Sequence, residues 1–256
     1  MQAKWSINPD FNDLDRFIEL SKQYDTAFEY IDFTYPKVYQ NAVEMRKRIE
    51  TYKALDRDPS GDTLHGVFYD IALISTDDVI RERSRYLAEM SLNTARELSC
   101  KGVVFHTGIL GGLNVTYYLE GWVDGMCEYL PTLLDKYEDL EIYLENTVES
   151  TPKEICEVAE RLKSYKNFKL CLDYAHASIA PSPVSDWVEA MAPYVGHIHL
   201  NDNDLRSDLH LAAGDGDIDY RMFKAGVEHF KLDVNILLEV SGYDKAKRSL
   251  EYMSAL

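Results

Sequence analysis

The feature of this sequence that most constrains its fold is an alternation of two kinds of segment along the whole chain. Short runs rich in β-branched and aromatic residues alternate with longer stretches of helical period, which is typical of repeated βα units. The predicted strands lie near Lys4–Asn8, Ala27–Asp32, Thr63–Val67, Gly102–Thr107, Glu141–Asn146, Phe168–Asp173, Gly196–Asn201 and Asn235–Val240. The predicted helices are Asp13–Tyr24, Val38–Leu55, Thr76–Leu98, Thr116–Tyr137, Pro152–Tyr165, Pro183–Met191, Asp219–His229 and Tyr243–Met253.

Eight such pairs in 256 residues match the size of an α/β protein built as a (β/α)8 TIM barrel, whereas a doubly wound sheet more often has about five to seven strands. No low-complexity tract or Pro/Gly-rich linker marks a boundary, so we predict one barrel domain over residues 1–256. Two glycine-rich segments, 108–112 and 214–216, lack the spacing of a phosphate-binding loop. They predict loops that need positive φ angles.

The charge of the chain argues against polyanionic partners. It carries 44 Asp and Glu against 27 Lys and Arg, a net charge of −17, and this excess repels nucleic acids and anionic membrane surfaces. No apolar run approaches the ~18 residues of a membrane span, and the first residues show no secretory signal. The four cysteines form no CxxC pair, which predicts free thiols in a cytoplasmic protein. Whether the chain is a monomer or a homo-oligomer stays open.

The ends of the predicted strands concentrate histidine and carboxylate residues. In a barrel, chemistry occurs at the carboxyl ends of the strands, and six consecutive strands deliver such residues there. Imidazole nitrogens and carboxylate oxygens together suit a divalent metal such as Zn²⁺ or Mn²⁺. Three carboxylates directed at one another, Glu145, Asp173 and Glu239, would need protons or a metal to coexist. The candidate ligands are His65, His106, Glu145, Asp173, His176, His199, Asp208, His210 and Glu239.

Other polar residues near these strand ends receive lesser roles. His197 shares a face with His199 one layer deeper, because strand residues two apart point the same way, and we expect it to be structural or supporting. We expect Asp202 and Asp204 to belong to a solvated acidic loop. Arg206 is a cation in that loop, and we expect it to hold a substrate oxygen.

Aromatic residues are candidates for stacking on a substrate. Trp122 is assigned to this role, with Tyr69 and Trp187 as further candidates, although aromatic residues belong more often to the core. His229, beside Phe230 at a helix end, is expected to have no functional role.

The ordered strand-end motifs resemble those of the xylose isomerase-like TIM-barrel superfamily, which contains sugar phosphate isomerases and epimerases and the endonuclease IV type of apurinic-site (AP) nucleases. The motifs are His65-Gly66-Val67-Phe68, Phe105-His106-Thr107-Gly108, Glu145-Asn146-Thr147, Asp173-Tyr174-Ala175-His176, His199-Leu200-Asn201-Asp202, Asp208-Leu209-His210 and Glu239. The resemblance to the epimerases implies one divalent ion held by Glu145, Asp173, His199 and Glu239. The resemblance to the nucleases implies up to three zinc ions, which would also recruit His65, His106, His176, Asp208 and His210.

Two enzymatic functions therefore compete. In an isomerase or epimerase, the metal would polarise a carbonyl and its neighbouring hydroxyl and stabilise an ene-diolate, while Glu145 and Glu239 move the proton. His176 and Arg206 would orient hydroxyl groups of a small carbohydrate. In an AP endonuclease, zinc ions would activate water, with Glu145 as a bridging ligand.

The loops after the first two strands favour carbohydrate chemistry. Segments Asn8–Asp13 and Asp32–Lys37 are short and contain little Lys or Arg, whereas a DNA-binding enzyme needs phosphate contacts there. A non-catalytic binding protein is the least favoured alternative, because none of the metal carboxylates is lost. The identity of the sugar and its phosphorylation stay open.

Overall fold

Eight parallel strands close into a barrel. The computed structural model describes residues 4–256, in which each strand pairs with the next and the eighth returns to pair with the first, so the sheet has no edge. The strands are β1 (Lys4–Ile7), β2 (Ala27–Tyr30), β3 (Thr63–His65), β4 (Gly102–His106), β5 (Glu141–Glu145), β6 (Phe168–Asp173), β7 (Val195–Leu200) and β8 (Asn235–Leu238). The predicted TIM barrel and its eight strands are confirmed.

Ten α-helices connect these strands within the described residues. They are α1 (Leu14–Tyr24), α2 (Pro36–Tyr39), α3 (Ala42–Lys53), α4 (Asp78–Glu97), α5 (Thr116–Lys136), α6 (Lys153–Arg161), α7 (Tyr174–Ile179), α8 (Val184–Met191), α9 (Tyr220–His229) and α10 (Tyr243–Ala255), with a 3₁₀ turn at Asp32–Thr34. The predicted helix Val38–Leu55 is two helices, because Asn41 accepts hydrogen bonds from two backbone N–H groups and starts α3 there. Helix α7 was not predicted. It begins directly after β6, where Asp173 accepts from the His176 N–H.

The apolar core fills the layer between the strands and the helices. Trp122 and Trp187 are each 1% exposed, so both belong to the core and the assignment of Trp122 to substrate stacking is wrong. Their size and apolar area instead stabilise the packing of α5 and α8. The Trp122 indole N–H donates to the carbonyl of Thr107 at 3.0 Å, which fixes α5 against the end of β4.

The structure also bears on the predictions for the glycine-rich loops, the cysteines and membrane spans. Gly108, Gly112 and Gly214 have positive φ angles, as the glycine-rich loops predicted. The four cysteines are free. Among residues 4–256, no helix is both long enough and apolar enough to cross a membrane.

At the amino-terminal end of the barrel, two carboxylates, one buried and one half-buried, have cationic partners. Asp62, fully buried before β3, accepts from the backbone N–H of Phe28 at 2.8 Å and forms an ion pair with Arg57. Glu141, the first residue of β5, contacts Lys169 Nζ at 2.7 Å and Lys101 Nζ at 3.2 Å. Both carboxylates are therefore neutralised by neighbouring side chains.

Candidate metal centre

Four buried residues converge at the carboxyl end of the barrel. Glu145 ends β5, Asp173 ends β6, His199 lies near the end of β7 and Glu239 follows β8. Parallel register sets Asp173 beside His199. Each residue offers one ligand atom, and these atoms all lie within 4.8 Å of one another. His199 Nδ1 is central, at 3.1 Å from Glu145 Oε1 and 3.6 Å from Glu239 Oε2.

The donor atoms of this cluster fit a divalent cation. Within the described residues, one oxygen each of Glu145, Asp173 and Glu239 is buried without a hydrogen bond of good geometry. Buried carboxylate oxygens without a partner are costly, and native proteins almost always satisfy them. One imidazole and three carboxylates at this spacing match the ligand preferences of Zn²⁺ or Mn²⁺. The cluster therefore has the composition and the unsatisfied atoms that a metal would complete.

The pKa values of the cluster residues reflect the closeness of its carboxylates. Burial raises the pKa of Asp173 to about 7, and the nearby charges of Glu239 and Glu145 add to that shift. Burial alone would lower the pKa of His199, but the carboxylates of Glu145, Glu29 and Glu239 around it raise it well above its usual value. The carboxylates of the cluster thus have few cationic partners, and a bound cation would favour their charged forms.

Two further histidines approach the outer oxygen of Glu145. His106 Nε2 lies 3.4 Å and His65 Nε2 lies 3.5 Å from Glu145 Oε2, and the ring of Phe68 stacks on His106. Burial lowers the pKa of His106 to about 3, which keeps its imidazole neutral. Neutral imidazole is the form that binds metals, so this side of Glu145 offers a second set of donor atoms.

A third set of possible donor atoms lies near the loop that follows β7. Asp208 Oδ2 is 3.3 Å from His176 Nε2 and 3.0 Å from His210 Nε2. The opposite ring nitrogen of His176 is 2.9 Å from the carbonyl of Asn146, and that of His210 is 2.9 Å from the carbonyl of Glu239. All nine residues predicted as ligands therefore form one connected set. Their role as ligands stays a prediction.

The two aspartates predicted to lie in a solvated loop after β7 differ in their exposure. Asp204 is exposed, as expected, but Asp202 is fully buried, so its assignment to a solvated loop is wrong. Its carboxylate accepts from the backbone N–H groups of Gly214, Gly216 and Ile218 at 2.9 to 3.1 Å, which holds the returning loop against the barrel. Arg206 is exposed on the same loop, and its role in substrate binding stays a prediction.

The interior below His199 contains a residue that the sequence interpretation missed. Glu29 of β2 is fully buried and lies 3.0 Å from His197 Nε2 and 3.1 Å from His199 Nε2. His197 is thus one layer deeper than His199 and on the same face, as the strand alternation predicted. An isolated acidic residue inside the apolar run 27–30 was the available signal, because a charge in a buried strand requires a partner.

The chain belongs to the xylose isomerase-like TIM-barrel family, whose family model matches residues 19–256. An uncharacterised protein of Methanocaldococcus jannaschii is 25% identical over 229 residues, which cover 85% of this chain and 74% of that protein. A probable endonuclease 4 of Halorhodospira halophila is 27% identical over 191 residues, which cover 65% of this chain and 63% of that protein.

Solved structures share the architecture over almost the full length. A Thermus thermophilus protein soaked with zinc chloride has a TM-score of 0.79 and 23% identity, covering 100% of this chain and 97% of its own. A D-tagatose 3-epimerase-like protein has a TM-score of 0.80 and 21% identity, with coverage of 98% and 96%. A D-allulose 3-epimerase from Methylomonas sp., in complex with D-allulose, has a TM-score of 0.71 and 16% identity, with coverage of 99% and 97%. At these identities the likeness establishes a common fold.

Proposed function

We propose that the protein is a divalent-metal-dependent isomerase or epimerase of a small sugar or sugar phosphate, acting by proton transfer at a carbon next to a carbonyl. The observation that carries the proposal is the buried group of Glu145, Asp173, His199 and Glu239, whose donor atoms lie within 4.8 Å of one another. Its place at the carboxyl ends of the strands is where barrel enzymes bind substrates. The sugar epimerases of the same fold support this choice of reaction.

These four residues would hold the ion. A bound divalent cation supplies a Lewis acid that polarises a carbonyl oxygen and the neighbouring hydroxyl of the substrate. Asp173, fully buried at the start of α7, is positioned by its hydrogen bond from the His176 backbone N–H and serves only as a ligand in this scheme.

Glu145 and Glu239 are the proposed proton-transfer groups. They approach His199 Nδ1 from the ends of different strands, with their nearest oxygens at 3.1 and 3.6 Å. One carboxylate removes the proton and the other returns it, and geometry of this kind typically contributes about 10²–10⁴-fold to the rate.

Polar residues around the rim would orient the sugar. His176 is held between Asp208 and the carbonyl of Asn146, so its ring has a fixed direction toward the cluster. Arg206 extends from the exposed loop that carries Asp208 and would hold a substrate oxygen at the edge of the site. The acidic rim with its few cations suits a neutral polyol better than a polyanion.

Solvent exchange tests this proposal. The Mn²⁺- or Zn²⁺-loaded protein would be incubated with a panel of ketoses and their phosphates in deuterated water, and the products analysed by NMR. The expected result is deuterium at a carbon next to the carbonyl of one substrate, lost in Glu145→Gln. Asp204→Asn, which removes an exposed carboxylate from the same rim, is the control and should retain exchange. The absence of exchange on every ketose would contradict the proposal.

A second candidate function is phosphodiester cleavage at apurinic sites. The contacts of His65 and His106 with the outer oxygen of Glu145, and of Asp208 with two histidines, supply donor atoms for additional ions. The relative described as a probable endonuclease 4 supports the same reaction. Incision of a duplex that contains an abasic site, without deuterium exchange on any ketose, would establish this alternative in place of the first.

A further inference from the structure

Asp202 is a fully buried carboxylate at the base of the loop that follows β7. Its Oδ1 accepts hydrogen bonds from the backbone N–H groups of Asn203 and Ile218 at 2.9 and 3.1 Å. Its Oδ2 accepts from those of Gly214 and Gly216 at 2.9 and 3.0 Å. An ionised carboxylate is an acceptor with about four lone-pair positions, so these four donors satisfy it. Backbone groups thus surround the whole carboxylate.

The backbone of Asp202 forms a second link at the same place. Its N–H donates to the carbonyl of Leu211 at 3.0 Å, and the N–H of Leu211 donates back to the carbonyl of Asp202 at 2.9 Å. The N–H of Asp217 donates to the carbonyl of Asn203 at 2.8 Å. Residues 203–210, which we call the rim loop, therefore leave and rejoin the barrel at one point, and Asp202 holds both ends of the loop.

The rim loop carries polar residues of the proposed site on an exposed turn. Residues 204–209 are exposed, and Arg206 is among them. Asp208 Oδ2 lies 3.3 Å from His176 Nε2 and 3.0 Å from His210 Nε2. Because these side chains extend from an exposed turn, their position relative to the barrel depends on how the base of the rim loop is held.

The glycines of the returning segment allow the chain to approach the Asp202 carboxylate. A Cβ on Gly216 would collide with Asp202 Oδ1 and with the carbonyl oxygen of Asn203. Gly214 has a φ angle of +87°, a conformation that a residue with a side chain rarely adopts. The glycine-rich segment 214–216, which has no role in the proposed function, is thus shaped to enclose this carboxylate.

We propose that Asp202 is a positioning residue for the proposed function, on which this inference rests: it fixes the base of the rim loop and so holds Arg206 and Asp208 beside the metal cluster. Asparagine could not replace it, because a side-chain amide would direct its own N–H groups at two backbone N–H donors. Misplacement of a substrate-positioning group by about 1 Å can cost about 10²-fold in rate. A change at the buried base should therefore reach turnover through the loop.

Amide hydrogen exchange followed by NMR tests the link without metal or substrate. We expect the N–H groups of Gly214, Gly216 and Ile218 to be protected in the wild type and to exchange about 10-fold faster or more in Asp202→Asn. The increase should exceed that of the amides of β4, which report a general loss of stability. Unprotected glycine amides in the wild type, or equal exchange in the variant, would overturn the proposal.

Asp204→Asn is the matched control. It removes a negative charge from the same loop, but its Oδ1 accepts from the N–H groups of Arg206 and Ser207, and an amide keeps that oxygen. Amide exchange at the base of the rim loop should equal that of the wild type. Faster exchange there in Asp204→Asn would mean that charge, rather than the hydrogen bonds of Asp202, holds the loop.

Turnover provides a readout that a purely structural role would not change. A loss of folded protein lowers the apparent kcat and leaves KM unchanged. With the ketose identified by solvent exchange, Asp202→Asn should instead lower kcat/KM by about 10²-fold, mainly through a higher KM, because the rim loop orients the substrate. Zinc affinity, measured by competition with a chelator, should equal that of the wild type, since none of the four proposed ligands lies on the loop. An unchanged KM would contradict the proposal.

Gly216→Ala tests the same link from the other side. Its methyl group would displace the Asp202 carboxylate without removing the charge, so KM should rise as in Asp202→Asn. This variant also decides the question if Asp202→Asn does not fold. If the wild type turns over no ketose, the proposed function fails, whereas amide exchange still decides whether Asp202 holds the loop. Turnover in the wild type with an equal KM in Gly216→Ala would refute this inference alone.

Discussion

The two ends of the barrel contain carboxylates with different kinds of partner. At the amino-terminal end, Asp62 pairs with Arg57, and Glu141 contacts two lysines. At the carboxyl-terminal end, Glu145, Asp173 and Glu239 have only histidines as cationic neighbours, and each has one buried oxygen without a hydrogen bond among the described residues. The two amino-terminal carboxylates have cationic partners within the protein, whereas the three carboxyl-terminal carboxylates would gain one from a bound cation. We infer that the amino-terminal end serves stability and the other end serves binding.

The largest expected effect is on turnover. Glu239→Gln should lower the exchange rate by about 10⁴-fold, because it removes both a ligand and a proton-transfer group. The fold should survive, since the substitution removes one of several crowded carboxylates rather than a paired one. Steady-state exchange measured beside urea unfolding checks both statements. Retained activity would mean that Glu239 has no acid or base role.

The next effect concerns stability at the opposite end. Asp62→Asn should reduce the free energy of unfolding by about 3 kcal/mol, because Arg57 is left buried without its counter-charge. Zinc affinity should not change. Urea titration and chelator competition on the same sample measure the two quantities. Equal stability of variant and wild type would remove the contrast between the two ends.

Metal removal has an intermediate effect. At a free metal concentration of about 100 times Kd, a chelator should lower the free energy of unfolding by about 2.7 kcal/mol, or Tm by about 5–10 °C. Asp62→Asn should show the same drop from its lower starting point. A Tm that is indifferent to metal in the wild type would contradict the assignment of the carboxyl-terminal end.

The smallest effect is a pH dependence at the amino-terminal end. Burial alone would raise the pKa of Glu141, but hydrogen bonds from Lys169 and Tyr143 and the charges of both lysines lower it below 4.5. A lowered pKa in the folded state stabilises the protein above pH 4.5, and this stabilisation disappears as the pH falls through the folded value. The wild type should exceed Glu141→Gln by at most about 1 kcal/mol at pH 7 and by nothing in strong acid. A difference that grows on acidification would refute this.

The sequence was sufficient to predict the barrel and the residues that meet at its rim. Strand alternation follows from local chemistry, and parallel strands of a closed barrel bring their carboxyl ends together. Asp173, His199 and Glu239 could therefore be placed near each other without coordinates. Helix α7 was not predicted, because it is only six residues long and its start depends on the Asp173 side chain, which accepts from the His176 N–H.

The predictions that were wrong or incomplete depend on the direction in which a side chain points, which the local sequence does not determine. Asp202 looks like a surface acid in a loop rich in acids, but three backbone N–H groups from a distant segment bury it. Trp122 faces the core because α5 presents its apolar side to the barrel. Glu29 was overlooked because its partners, His197 and His199, are 168 and 170 positions away in the chain, and only the closed barrel brings them together.

A calorimetric titration of metal-free protein with Zn²⁺ or Mn²⁺, with Asp173→Asn titrated in parallel, tests whether the carboxyl-terminal cluster is a metal centre. We expect saturable binding of at least one ion per chain to the wild type. In Asp173→Asn, which should still fold, we expect binding to be lost from the measurable range. No saturable binding to the wild type, or equal binding to the variant, would show that the carboxyl-terminal cluster is not a metal centre.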